Sequence, residues 1–213
     1  VKLERPLLYL AAGDSEAAQA AEQLAALFGE GVCQFPYRDF NFARVDSLSH
    51  DWGNERIGTL SAIAQGQVRA VVTTPDALGQ FTLGRGLLDE LGFTLGYDTP
   101  HEIEDVVERL VALGYRRAEL IEGTGQFARR GGILDVSPPT CQNPVRIEFF
   151  GDEIDSMGEF DPVTQRRIAN RSEPLVIPPA RENLLTEPLR ERIIERLGKV
   201  ISSLRRRQDE ASK

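Results

Sequence analysis

The stretch from Val145 to Phe150 constrains the fold of this chain more than any other. Its six residues alternate between an apolar set and a set that contains both charges of the stretch: Val145, Ile147 and Phe149 against Arg146, Glu148 and Phe150. Successive side chains of a β-strand point to opposite faces of the sheet, so this period of two predicts a half-buried strand. The apolar set is then the core face.

The opposite face of this predicted strand should be exposed to water, and one of its three residues is aromatic. Arg146 and Glu148 fit a solvated face, whereas Phe150 places an aromatic ring beside them. Aromatic residues and arginine are enriched where proteins bind one another. The alternative is an incidental surface phenylalanine beside a cross-strand salt bridge between Glu148 and an arginine, because single exposed apolar residues are common.

Strand partners are predicted on both sides of this stretch. Residues 126–130 alternate and residues 133–136 form a mostly apolar run, while the pair Gly131-Gly132 between them predicts a bulge or a close backbone approach. Pro138-Pro139 ends the run, because proline cannot donate to a sheet. After a reversal at Gly151-Asp152, residues 154–160 predict a further strand. The whole region therefore predicts an antiparallel meander.

The chain before this region predicts a different architecture. Short apolar runs near positions 7–11, 32–35 and 70–73 alternate with helical patterns, which is typical of a parallel sheet covered by helices. We therefore predict an α/β protein with an α/β domain over 1–90 and a smaller α+β domain with an antiparallel sheet over 91–178. Residues 179–213 predict a linker and an amphipathic helix.

The composition of the chain restricts the cellular compartment and the classes of partner that are expected. The net charge of −8 makes a large nucleic-acid footprint unfavourable, since such binding depends on lysine and arginine. Cys33 and Cys141 match no disulfide or metal pattern and predict reduced thiols. No apolar run is long enough to cross a bilayer and no signal peptide is visible, so a cytoplasmic location is expected. Because the chain begins at Val1 without an initiator methionine, we expect a piece of a longer protein.

Motifs for catalysis, cofactors and metals are missing from the sequence. The phosphate loop pattern G-x-x-x-x-G-K-[ST] does not occur, and lysine is found only at positions 2, 199 and 213. The two histidines, His50 and His101, belong to no recognised hydrolase motif. The acidic residues over 152–161 do not follow the calcium-loop pattern and predict a solvated strand face. We therefore expect no catalytic residue, no cofactor and no metal.

Three stretches give the chain a family resemblance. GYRRAELIEGTGQFARRGGILDVSPP at 114–139, NPVRIEFFGDEIDSMGEFDPVTQRR at 143–167 and ERIGTLSAIAQGQVRAVVTTPDALGQ at 55–80 resemble the N-terminal, UvrB-like module of bacterial transcription-repair coupling factors. The resemblance implies a helicase-like domain without its phosphate loop. It also implies a non-catalytic module that recruits UvrA to stalled RNA polymerase in nucleotide excision repair.

The resemblance further implies which residues bind and what the parent protein does. Arg130, Arg146 and Phe150 match positions of the family's UvrA-binding surface, and Gln126, Arg129 and Glu148 are expected to be their neighbours. The parent is expected to be an ATP-driven translocase that binds RNA polymerase and double-stranded DNA, with no membrane partner. Two alternatives stay open, namely a fragment of the damage-binding helicase UvrB and a small nucleotide-binding α/β enzyme.

Overall fold

The computed structural model of the chain describes residues 5–38, 49–182, 184 and 187–211. The elements of its first part are, in chain order, β1 (Leu7–Leu10), α1 (Asp14–Phe28), β2 (Val32–Phe35), α2 (Ser49–Ala64), β3 (Ala70–Thr73), α3 (Pro75–Leu78), α4 (Arg85–Leu91) and β4 (Phe93–Leu95). The later elements are α5 (Ile103–Ala112), β5 (Arg116–Arg117), β6 (Gln126–Arg130), β7 (Ile133–Val136), β8 (Val145–Phe150), β9 (Glu153–Phe160), β10 (Arg167–Asn170), β11 (Leu175–Ile177) and α6 (Glu187–Ala211).

The first three strands form a parallel sheet in the order β1-β3-β2. Helix α1 covers one face, where Ala17 packs against Val72 and Ala11. Helix α2 contacts β2, and Thr59 of this helix donates a hydrogen bond to the carbonyl oxygen of Gln34 at 2.8 Å. The α/β class that the alternating strands and helices predicted is therefore confirmed.

The six later strands β5 to β10 form a second sheet in chain order. Every neighbouring pair is antiparallel except β5 and β6, which are parallel. One face of the four central strands carries buried residues that alternate along the strands: Phe127, Leu134, Val136, Val145, Ile147 and Met157. The predicted meander is confirmed, and the alternation from Val145 to Phe150 assigns the core face correctly, with Phe149 half-buried.

The pair Gly131-Gly132 has a different role from the bulge that the sequence predicted. Arg130 pairs with Ile133 across β6 and β7, so the two glycines form the connection of a tight hairpin. Gly131 has a φ of 61°, which glycine adopts without the steric cost other residues meet. The predicted close approach is present at Gly132, where an added Cβ would lie 3.0 Å from the carbonyl oxygen of Phe149.

The described residues up to Glu182 form one compact unit, and those after it form a second. A third, two-stranded sheet in the first unit pairs β4 with β11 in antiparallel fashion. The second unit contains α6, whose apolar residues recur at helical spacing: Ile193, Leu197, Val200, Ile201 and Leu204. The domain boundaries at 90 and 178 stay predictions. Within the described part of the chain, no helix combines the length and the apolar character needed to cross a membrane.

Helix α2 and the segment that follows β7 approach each other closely at Gly58. A Cβ atom added there would lie 2.5 Å from the carbonyl oxygen of Pro139, which is closer than real Cβ contacts. Gly58→Ala should therefore lower the free energy of unfolding by roughly 1–3 kcal/mol, the usual cost of overpacking, although alanine is the better helix former.

Gly86 in α4 provides the matched control for this prediction. It is exposed, and a Cβ atom added there would meet no described atom within 4 Å. Gly86→Ala should leave stability unchanged or raise it by up to about 1 kcal/mol. Urea denaturation of both variants measures the difference, and equal stabilisation by the two substitutions would show that α2 is free to move away from Pro139.

Candidate protein-interaction site

The register of β6, β7 and β8 brings several charged residues of the second sheet onto one face. Asp135 pairs with Arg146 and Ile133 pairs with Glu148 across β7 and β8, while Arg130 pairs with Ile133 across the hairpin. Directly opposed residues of an antiparallel pair project from the same side of the sheet. We call this side, opposite the buried side, the outer face.

Asp135 is the centre of the outer face and only 2% exposed. Its carboxylate accepts hydrogen bonds from Nε and Nη2 of Arg146 at 2.7 and 2.9 Å. It also accepts one from Nη2 of Arg130 at 2.7 Å. Two guanidinium groups therefore share one carboxylate, which leaves a local surplus of one positive charge.

Arg146 has two more contacts that fix its position. Its guanidinium carbon lies 4.5 Å from the centre of the Phe160 ring, within the range of a cation–π contact. Its Nη2 also donates to Oε1 of Gln165 at 2.8 Å. The hydrogen bonds to Asp135 raise the pKa of Arg146, so this guanidinium group, like arginine in general, is charged near neutral pH.

Phe150 occupies the end of β8, immediately before the turn at Gly151. It is 82% exposed and pairs with Glu153 across β8 and β9. An exposed aromatic ring that follows two strand positions with charged side chains has the composition of an interface anchor. The period of two places Phe150 on the same side as Arg146 and Glu148.

Glu148 lies between Arg146 and Phe150 and has its own partner. Its Oε1 accepts a hydrogen bond from Nη2 of Arg167 on β10 at 2.8 Å, and the same nitrogen donates to the hydroxyl of Ser156 at 3.0 Å. Both side chains of this ion pair are about a third exposed or more. Surface pairs of this kind contribute little to stability, so Glu148 and Arg167 are available to exchange partners on binding.

The other two predicted residues lie apart from this group. Arg129 is on the buried side of β6, where its Nη2 binds Oε1 of Glu104 in α5 at 2.5 Å. That hydrogen bond holds the pKa of Glu104 below its usual value. Gln126 lies at the far end of β6, about 13 Å from Arg130 along the strand, and its side chain accepts from the N–H of Glu122 at 2.9 Å.

Sequence reasoning missed Asp135, Gln165 and Arg167 as members of the site. Asp135 stands within the run 133–136, whose apolar neighbours predicted a buried strand. A charged residue in a buried strand must be paired, and this rule would have identified it. Gln165 and Arg167 belong to the turn and strand after β9, where the sequence offers no comparable signal.

The geometry of the turn between β1 and α1 disfavours nucleotide binding there. In P-loop folds, N–H groups at the strand-to-helix turn bind phosphate. Here Oε2 of Glu16 accepts a hydrogen bond from the N–H of Ala12 at 2.9 Å, so a carboxylate occupies a donor that a phosphate would need.

A cleft of about 330 Å³ between α2 and Pro139 is lined by Cys33, Thr59 and Thr140 among others. No group of acidic, histidine or cysteine side chains in the described ranges could hold a metal ion.

The burial of Asp135 predicts unequal costs for two arginine substitutions. Arg146→Ala removes two hydrogen bonds from a carboxylate that water hardly reaches, so it should lower the free energy of unfolding by about 3 kcal/mol. Arg167→Ala breaks a partly exposed pair and should cost less than about 1 kcal/mol. Chemical denaturation of both variants tests this, and equal losses would contradict a structural role for Asp135.

Comparison with known proteins tests the family resemblance independently of the geometry. Residues 93–182 match the family model described as the UvrB interaction domain. The chain is 36% identical over 197 residues to the transcription-repair-coupling factor of Mycobacterium bovis, which covers 88% of this chain and 16% of that protein. It is 34% identical over 200 residues to the corresponding protein of Myxococcus xanthus, covering 89% of this chain and 16% of that protein.

A relative with lower sequence identity carries the same name. The transcription-repair-coupling factor of Staphylococcus aureus strain USA300 is 29% identical over 182 residues, covering 85% of this chain and 15% of that protein. The chain thus spans about a sixth of the length of the curated relatives it matches. The resemblance found in the sequence is confirmed: residues 93–182 match the UvrB interaction domain, and most of the chain is similar to one segment of the transcription-repair-coupling factors.

Proposed function

We propose that this chain is a non-catalytic module that binds UvrA through the outer face of its second sheet. The observation that carries the proposal is Phe150, an 82% exposed aromatic ring at the end of a strand within the matched UvrB interaction domain. The charged groups on the same face support it, because aromatic residues and arginine dominate the binding energy of protein interfaces.

The arginines define the chemistry of the partner. Arg130 and Arg146 already share Asp135, so their role is to offer their remaining N–H groups. A carboxylate of UvrA would accept these hydrogen bonds and neutralise the surplus positive charge. An apolar pocket beside that carboxylate would receive the ring of Phe150. Glu148, released from Arg167, would pair with a cation of UvrA.

For the parent protein we propose the role implied by its relatives. The module would bring UvrA to RNA polymerase stalled on damaged DNA, and so direct excision repair to transcribed genes. Translocation along double-stranded DNA and contact with the polymerase would belong to other parts of the protein. The carboxylate of Glu16 at the strand-to-helix turn supports this division, because it opposes nucleotide binding by the first sheet.

Phe150→Ala tests the proposal with little risk to the fold, since the ring is exposed. Isothermal titration with purified UvrA should show binding by the wild-type chain and a loss of at least about 30-fold for the variant, which corresponds to the ~2 kcal/mol of a hot spot. A wild-type chain that is folded but does not bind UvrA would contradict the proposed function.

Leu27→Ala is the matched control for this titration. Leu27 is likewise exposed and apolar, but it lies in α1 beside the first sheet. Its substitution should leave the affinity for UvrA unchanged. Equal losses for the two variants would place the binding surface elsewhere or show a general loss of structure.

A further inference from the structure

We infer that Asp135 and Gln165 are positioning residues that hold Arg146 in the conformation in which it binds the partner. The inference rests on the proposed function and extends it to residues that make no contact with UvrA themselves. The two residues approach Arg146 from different elements, β7 and the β9–β10 turn, and both bind its Nη2.

Asp135 restricts Arg146 through charge and burial. The pair of hydrogen bonds from Nε and Nη2 is bidentate, which fixes the plane of the guanidinium group as well as its distance. Because Asp135 is buried, water does not compete for its oxygens. Arg130 approaches the same carboxylate from the hairpin between β6 and β7, and among the described residues it donates one hydrogen bond to it, from Nη2.

Gln165 also restricts Arg146, and its own backbone is held in a conformation that is unfavourable for a residue other than glycine. Its φ of 60° makes it the only non-glycine residue in the described ranges with a positive φ. Glycine or asparagine adopts this conformation at lower cost. A residue kept in a sparsely populated conformation points to a use for its side chain.

The turn around Gln165 holds that conformation in place. The carboxylate of Asp161 accepts the N–H groups of Val163 and Thr164 at 2.8 and 2.9 Å. The N–H of Gln165 donates to the carbonyl oxygen of Asp161, and its side-chain amide donates to that of Pro162 at 2.7 Å. The amide oxygen is thereby aimed at Arg146, which it meets at 2.8 Å.

Fixing Arg146 in advance affects affinity as well as stability. An arginine that is mobile before binding loses rotamer freedom in the complex, and this loss weakens binding by roughly 2- to 12-fold for each such side chain. No described group accepts a hydrogen bond from Nη1 of Arg146, so this nitrogen stays available to a carboxylate of the partner.

Gln165→Gly separates positioning from a structural role. Glycine suits the positive φ, and this gain offsets the lost side-chain hydrogen bonds to Pro162 and Arg146, so the free energy of unfolding should change by less than about 1 kcal/mol. The affinity for UvrA should fall about 3- to 10-fold, because the amide oxygen no longer holds Arg146. Gln165→Asn, which also tolerates a positive φ but is one methylene shorter, should show the same loss.

A double-mutant cycle with Arg146→Ala gives the decisive readout. If Gln165 acts through Arg146, Gln165→Gly should weaken binding in the wild-type background and have no effect in the Arg146→Ala background. Asp135→Asn, which keeps the shape and removes the charge, should weaken binding by roughly tenfold or more, and part of this loss should persist in the Arg146→Ala background because Asp135 also holds Arg130. If that variant does not fold, the Gln165 cycle decides alone.

The outcomes distinguish this inference from the proposed function. Equal losses in both backgrounds, or unchanged affinity for Gln165→Gly, would overturn the positioning role while a loss for Phe150→Ala kept the proposed function in place. A folded wild-type chain that does not bind UvrA would overturn both.

Discussion

The register between β7 and β8 is the constraint on which the rest of the second sheet depends. It places Asp135 opposite Arg146 and Leu134 opposite Ile147. Because side chains alternate with a period of two, a slip of one residue would bury the arginine and expose the isoleucine. The ion pair on the outer face and the apolar pair on the buried face thus specify the same register, and the interaction surface is a consequence of correct strand pairing.

A second buried ion pair fixes the end of the first compact unit to its beginning. Arg56 of α2 is fully buried, and its Nε donates to Oε2 of Glu182 at 2.8 Å. Glu182 also accepts from Nη1 of Arg38 at 2.9 Å and from the hydroxyl of Thr82. Removing one member of such a set leaves a buried charge without compensation, which costs more than the pair contributes. The segment after β11 therefore has a defined position against α2 and against the residues that follow β2.

The sequence predicted the fold where periodicity was strong and local. The alternation over Val145–Phe150 sufficed for a strand, its core face and the exposure of Phe150. The same reasoning predicted a bulge or a close backbone approach at Gly131-Gly132, and the close approach is present. The hairpin was not predicted, because a bulge and a hairpin both use glycine and only the pairing of Arg130 with Ile133 distinguishes them. Arg129 was expected beside its neighbour Arg130, but consecutive strand residues face opposite sides, and it binds Glu104 instead. Gln165 was beyond prediction, because its role depends on the path of a turn that brings it to Arg146.

The shared carboxylate of Asp135 explains how a chain with a net charge of −8 can present arginines to a partner. Two guanidinium groups held on one face would repel each other, and acidic residues elsewhere in the chain would compete for them. One buried carboxylate removes most of that repulsion, holds Arg146 by two hydrogen bonds, and still leaves a positive surplus for an acidic partner. Because the net charge of the chain is −8, contact with a nucleic-acid backbone is unfavourable overall. Under the proposed function, a partner would have to offer both an acidic group for the arginines and a pocket for Phe150, and this double requirement would be the source of specificity.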